Sequence, residues 1–214
     1  MRTGEVSVNR VVRDLKEQDA ASKREQQRAA ALASRKHVDG LYLGDFRQIG
    51  DKIPDASVDL IFTDPPYDRK AMELFGPLGE FAARVLRPGG SLIAYVGHVQ
   101  LPQCLHDLSR HLRYWWTCAC VHSGPCARMD QMGIVAGWKP LVWFVKDTRG
   151  DKLTFVNDTV TGQREKSHHE WQQAEEESRY FIELLTEKDG FVVDPFCGGG
   201  TTPVACVKAG RKWA

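Results

Sequence analysis

No stretch of this 214-residue chain is apolar for long enough to cross a bilayer. No short basic segment followed by an apolar core opens it, so nothing reads as a secretory signal. Cysteine is sparse, six residues without the regular spacing of a disulfide framework. Together these absences predict reduced thiols in a cytoplasmic protein. An excess of charge of one sign is lacking too: the formal net charge is +1, and composition by itself argues for no particular partner. The balance is uneven along the chain, because residues 1–37 hold nine basic and five acidic side chains. Proline is absent from residues 1–36, which are rich in Ala, Gln and charge.

Length predicts one domain with a sizeable core. Residues 1–36 read as a charged arm, helical or disordered, with a short apolar stripe at Val8, Val11, Val12 and Leu15. Residues 37–214 read as the catalytic domain. Leu41-Tyr42-Leu43 predicts a short strand, and residues 46–53 a short helix or turn. Val58 to Phe62 is an apolar run with the character of a buried parallel strand. It stops at Asp64-Pro65-Pro66-Tyr67, because two prolines cannot continue a sheet ladder. A carboxylate, a stiff backbone and an aromatic ring are thereby collected at the C-terminal edge of a sheet, where open α/β sheets bind ligands.

Those residue types suit transfer to a planar amine. The exocyclic amine of a nucleobase is a poor nucleophile, since its lone pair is delocalised into the ring. Asp64 can accept one of its N–H groups and the Pro65 carbonyl the other. Pro65 and Pro66 fix φ, so that carbonyl is aimed in advance. Tyr67 can stack on a base that has been taken out of its duplex.

The rest follows in order. Met72 to Leu86 predicts a helix, ended by Arg87-Pro88-Gly89-Gly90, with Ser91 to Val96 as the next strand. Gln100 to Leu112 predicts a helix, Tyr114 to Val121 a strand and residues 122–137 a loop. Cys118, Cys120, His122 and Cys126 fit no common zinc spacing, so no metal is expected. Leu141 to Val145 predicts a strand, residues 147–167 a small hairpin, and residues 168–185 a helix. Phe191-Val192-Val193 predicts a strand. Asp194-Pro195-Phe196-Cys197-Gly198-Gly199-Gly200-Thr201-Thr202 follows, and Pro203 to Ala209 predicts a helix. Strand, glycine turn and helix let a backbone approach a ligand closely and aim N–H groups at it.

The Asp-Pro-Pro-Tyr and Asp-Pro-Phe-Cys-Gly-Gly-Gly-Thr-Thr motifs, with the helix, Leu-Arg-Pro-Gly-Gly and strand between them, resemble those of the S-adenosylmethionine-dependent DNA amino-methyltransferases. The catalytic motif precedes the cofactor motif, which is similar to the permuted β arrangement of bacterial and phage enzymes. The resemblance covers residues 41–213. It implies a three-layer, Rossmann-like α/β fold with a mostly parallel sheet, and S-adenosylmethionine as cofactor. It implies that Asp64, Pro65, Pro66 and Tyr67 are catalytic. It also implies that Asp45, His169, Asp194, Phe196, Cys197, Gly198, Gly200, Thr201 and Thr202 bind cofactor, Asp45 taking the adenine amine and a Thr the carboxylate. The substrate expected is double-stranded DNA methylated at adenine N6. Cytosine N4, RNA, or a silent nucleic-acid-binding remnant are the alternatives. A restriction endonuclease partner is left open. In such enzymes the strand after the cofactor motif carries an acid for the cofactor's ribose. Here that strand barely begins at Trp213-Ala214, so the acid is missing and an exposed edge suggests a homodimer.

Overall fold

The computed structural model describes residues 22–23, 26, 38–67, 69–122, 127–150, 154–162 and 175–214. The chain divides into two units, Met1–Leu41 and Tyr42–Ala214, a boundary a few residues beyond the expected one. In the first unit Ser22, Lys23 and Gln26 are helical, and most of the predicted arm lies outside the described residues. The second unit carries the elements that follow.

These are α1 (Phe46–Ile49), β1 (Val58–Thr63), α2 (Phe75–Val85), β2 (Leu86–Tyr95), α3 (Leu101–Ser109), β3 (Arg113–His122), β4 (Ala127–Met129) and β5 (Ile134–Ala136). Then come β6 (Lys139–Val145), β7 (Thr159–Gly162), α4 (Glu175–Leu185), β8 (Phe191–Val193), α5 (Thr201–Ala209) and β9 (Lys212–Trp213). Seven strands form one sheet in the order β7-β3-β6-β2-β1-β8-β9. Only β6 runs against its neighbours; β1 pairs in parallel with β2 and β8, β8 with β9, and β3 with β7.

Period-2 alternation makes three layers of this sheet. Leu92, Ala94, Val142 and Phe144 point to one face, where Leu78, Phe81, Ala82 and Val85 of α2 and Cys104 and Leu108 of α3 cover them. Ile93, Tyr95, Leu141, Trp143 and Val145 point to the other, against Phe181 and Ile182 of α4 and Ala205 and Cys206 of α5. Both faces are buried, which is why Leu60 to Phe62 of β1 and Leu141 to Val145 of β6 read as unbroken apolar runs rather than alternating ones. Among the described residues no helix is long and apolar enough to cross a membrane.

Several boundaries differ from the sequence reading. Leu41-Tyr42-Leu43 is not a strand: the three side chains are exposed and the segment joins no sheet. The predicted helix from Met72 is a 3-10 turn over Arg69–Leu74 before α2 begins. Residues 127–136 are not loop throughout, since β4 and β5 form an antiparallel hairpin around the left-handed Gly133. The expected hairpin in 147–167 is absent among the described residues; β7 instead pairs in parallel with β3. The strand after the glycine turn is present as β9, so β8 has a partner on each side.

Leu-Arg-Pro-Gly-Gly is also more than a helix stop. Leu86 already pairs with Val58, whereas the next paired residue on β1, Leu60, faces Ser91, so residues 87–90 bulge out of the ladder. The Gly89 N–H donates to the Lys146 carbonyl at 2.8 Å, and the Lys146 N–H to the Gly90 carbonyl at 3.0 Å. A Cβ on Gly90 would lie 2.9 Å from the Arg87 carbonyl oxygen and 3.1 Å from that of Val58, both backbone atoms that cannot swing away. Gly90→Ala should therefore destabilise the fold by about 1–3 kcal/mol, as overpacking does. Urea unfolding measures it, and an unchanged midpoint would show that the bulge yields.

Candidate active site

Parallel strands β1 and β8 end side by side, and each is followed by one of the two motifs. The Thr63 hydroxyl, last in β1, donates to Asp194 Oδ1 at 2.6 Å. Asp194 also accepts from the Phe196 N–H at 3.1 Å and from the Thr202 hydroxyl. One half-buried carboxylate thus pins the start of the glycine turn to the residue before Asp64. Burial pushes its pKa up to about 6, against the opposing pull of those hydrogen bonds.

On the Asp64 side, Pro65 is buried while Pro66 and Tyr67 face solvent. The Tyr67 hydroxyl donates to Asp64 Oδ1. Lys139 Nζ, from the first residue of β6, donates to the same oxygen at 3.2 Å. That ammonium lies 4.5 Å from the Tyr67 ring centroid and 4.2 Å from that of Tyr95. Gln100 Nε2 donates to the Tyr67 carbonyl at 2.9 Å, fixing the loop from the segment after β2. Gly97 is what lets that amide in, since a Cβ there would come within 2.2 Å of Gln100 Oε1. Close by in the chain, His98 Nε2 donates to the Trp138 carbonyl at 2.8 Å, and the two rings meet edge to face at 4.7 Å. Lys139, Gln100 and the His98–Trp138 pair carried no motif that sequence reasoning could find; each acts through a contact distant in the chain.

On the glycine side, Gly198 (φ 49°) and Gly200 (φ 84°) are left-handed, a conformation costly for other residues. A Cβ on Gly199 or Gly200 would meet nothing within 4 Å, so the turn borders open space. Thr202 is buried against Asp194, whereas Thr201, first in α5, is half-exposed. The Cys197 thiol is half-buried, and burial pushes its pKa up to about 11. The Phe196 ring packs edge to face on Phe46 at 5.2 Å, which brings α1 and its cap Asp45 beside the turn. Asp45 accepts from the Arg47 N–H at 2.9 Å and from its guanidinium, which hold its pKa down at about 2. It is a half-exposed acceptor, ionised at neutral pH, as well as a helix cap. His169 lies outside the described residues. Among the described residues no group of three or more His, Cys, Asp or Glu is arranged to hold a metal.

A mostly parallel sheet thus carries a carboxylate–proline–aromatic loop and a glycine turn at adjacent strand ends, the architecture of the α/β methyltransferase fold. Residues 141–214 match the family described as DNA methylase, N6_N4_Mtase. The type II methyltransferase M.BamHI of Bacillus amyloliquefaciens is 28% identical over 227 residues, which take in 81% of this chain and 53% of that enzyme. The chain thus spans about half of that relative's length. Among solved structures, the cytosine-N4-specific PvuII DNA methyltransferase superposes with a TM-score of 0.69 at 17% identity, covering 80% of this chain and 79% of that one. The M1.HpyAVI–SAM complex does so with a TM-score of 0.64 at 22% identity, covering 80% and 90%. Residues 141–214 are therefore similar to the N6/N4 DNA methylases, and the fold is shared with DNA methyltransferases, one of them a complex with S-adenosylmethionine.

The residues present fit that cofactor. An open glycine turn can meet its methionine part, the half-exposed Thr201 its carboxylate, and the ionised Asp45 an amine at its other end. Phe196, packed edge to face on Phe46, could offer it an apolar surface between them.

Proposed function

We propose that this protein methylates the N6 amine of an adenine extruded from double-stranded DNA, using Asp64, Pro65, Pro66 and Tyr67 on the base. The observation that carries this is the Thr63–Asp194 hydrogen bond at 2.6 Å, which sets the amine-binding loop beside the cofactor turn. S-adenosylmethionine supplies a methyl group on a sulfonium, so no nucleophilic side chain is required. Asp64 and the Pro65 carbonyl accept the two N–H groups of the amine, directing its lone pair out of the base plane. The bound cofactor would supply an electrophilic methyl group and leave as a neutral thioether, while Asp64 and the Pro65 carbonyl would hold the amine as its surplus proton passes to solvent. Tyr67, 41% exposed, presents a ring face on which the extruded base stacks.

A cytosine N4 reading stands beside this one, favoured by the fold shared with the cytosine-N4-specific PvuII enzyme. Cytosine carries the same kind of conjugated exocyclic amine. Incubation of the protein with unmethylated duplex and labelled cofactor, followed by mass spectrometry of the nucleosides, separates the readings. N6-methyladenine is the expected product; N4-methylcytosine would replace the first reading with the second, and no methylated base would reject both.

The target is expected to be short. The segment 147–167 is short, and its only element among the described residues is β7, which is built into the sheet and leaves that element little surface for reading base edges. Single-molecule sequencing of DNA methylated by the protein should return a site of very few bases. A long, strictly recognised site would assign the reading to the β4–β5 hairpin or to residues 1–36.

A further inference from the structure

Lys139 opens β6, next to Trp138, and its side chain is only 20% exposed. Its ammonium is enclosed by Asp64 from the loop after β1, Tyr67 from the same loop, and Tyr95 from β2. Tyr95 is buried and donates its hydroxyl to Glu177 of α4. Cys120 of β3 lies against both Glu177 and Tyr95. A cation, two carboxylates, a thiol and two phenols therefore meet under the Asp-Pro-Pro-Tyr loop, contributed by β2, β3, β6, α4 and the loop itself.

We propose that Lys139 is a positioning residue for methyl transfer, locking the Asp64 carboxylate and the Tyr67 ring in the mutual placement that the extruded base needs. The proposal rests on the methyl-transfer reading above. Three features carry it. Lys139 and the Tyr67 hydroxyl both donate to Oδ1 of Asp64, so the carboxylate cannot rotate without losing two partners. The ammonium lies against the rings of both Tyr67 and Tyr95, where cation–π attraction ties the stacking platform to the acid and to the sheet beneath. Finally, a buried ammonium is an expensive way to fill space, and an apolar side chain of similar volume would pack at lower cost. Burial lowers the Lys139 pKa, and the charge of Asp64 foremost, with Cys120 and Glu177, pulls it back up. A charge kept at such expense against the acid that meets the amine is explained by control of that acid.

The test compares wild type with Lys139→Met, which keeps length and loses charge. The kcat should fall by about ten- to a hundredfold, as small misplacements of a reacting group cause. The KM for DNA and the affinity for S-adenosylmethionine should stay within about threefold. The fall of wild-type kcat toward alkaline pH, where Lys139 loses its proton, should be missing in the variant. Retention of kcat within twofold, or a loss of cofactor affinity as large as the loss of kcat, would overturn the proposal. A second arm needs no activity. NMR of labelled lysine in the free protein should show the Lys139 midpoint moving down in Asp64→Asn, because the charge that opposes burial is gone. An unmoved midpoint overturns the coupling. If wild type methylates no DNA while this midpoint moves, the functional reading fails and the Lys139–Asp64 coupling stands.

Discussion

Asp64→Ala should lower methyl transfer by about a hundredfold or more and leave S-adenosylmethionine binding within about threefold. The first figure is what one preorganised acceptor is worth where charge develops in a transition state. The second follows from geometry. Asp64 faces Tyr67 and Lys139, whereas the cofactor turn is fixed through the neighbouring Thr63, whose hydroxyl stays on Asp194. The substitution also leaves the Lys139 ammonium without a carboxylate it now holds, so some stability should be lost with activity. Asp64→Asn separates the two effects. It keeps an acceptor oxygen for Lys139 but lacks the charge, and should fold better than the Ala variant while remaining slow. Calorimetric titration with cofactor, beside single-turnover rates on duplex DNA, reads both quantities. Equal losses of affinity and rate would place Asp64 on the cofactor and not on the amine.

Much of this site is written in short, contiguous motifs. Asp64 to Tyr67 and Asp194 to Thr202 each combine a strand end with backbone-restricting residues, so their place at a sheet edge follows from local chemistry. The three layers follow from apolar runs such as Leu141 to Val145, whose two faces are both covered. What is not legible is long-range. Lys139 before a proline reads as an ordinary strand start, and nothing local says that it reaches Asp64, 75 positions earlier. Phe46 reads as a helix residue, yet its contact with Phe196 is what draws Asp45 to the glycine turn. Leu41 to Leu43 misleads in the opposite direction: an apolar triplet has the composition of a strand, but its side chains stay exposed and it pairs with no strand. Gly89 and Gly90 read sufficiently as a turn, and only the strand register shows that they admit a bulge between β1 and Lys146.

Asp194→Asn should stabilise the protein at pH 8 and weaken its hold on S-adenosylmethionine. The pKa of Asp194 is raised from 3.8 to about 6, mainly by burial. Between those values the folded chain keeps a proton that the unfolded chain releases. The stability this group contributes is therefore complete below about pH 3.8 and is lost as pH rises through about 6. Above that, the ionised carboxylate sits in the fold at a cost on the order of 1–3 kcal/mol. Asparagine removes the charge with little change of shape. Thr63 and the Phe196 N–H both donate to Oδ1, which the amide retains, and the Thr202 hydroxyl can turn to accept from the new NH₂. The variant should unfold at higher urea than wild type at pH 8, with the advantage shrinking toward pH 4. The weaker hold on cofactor is expected if Asp194 faces it as proposed. The cofactor's sulfonium and ammonium are cations, and a carboxylate at the head of the glycine turn complements them where an amide does not. Charged hydrogen bonds are worth about 1.5–3 kcal/mol, which corresponds to roughly ten- to a hundredfold in affinity. Urea melts at the two pH values and calorimetric titration with cofactor measure both effects. A variant less stable at pH 8 would mean that the ionised acid is held by its three donors at no net cost. Unchanged affinity would confine Asp194 to joining β1 and β8.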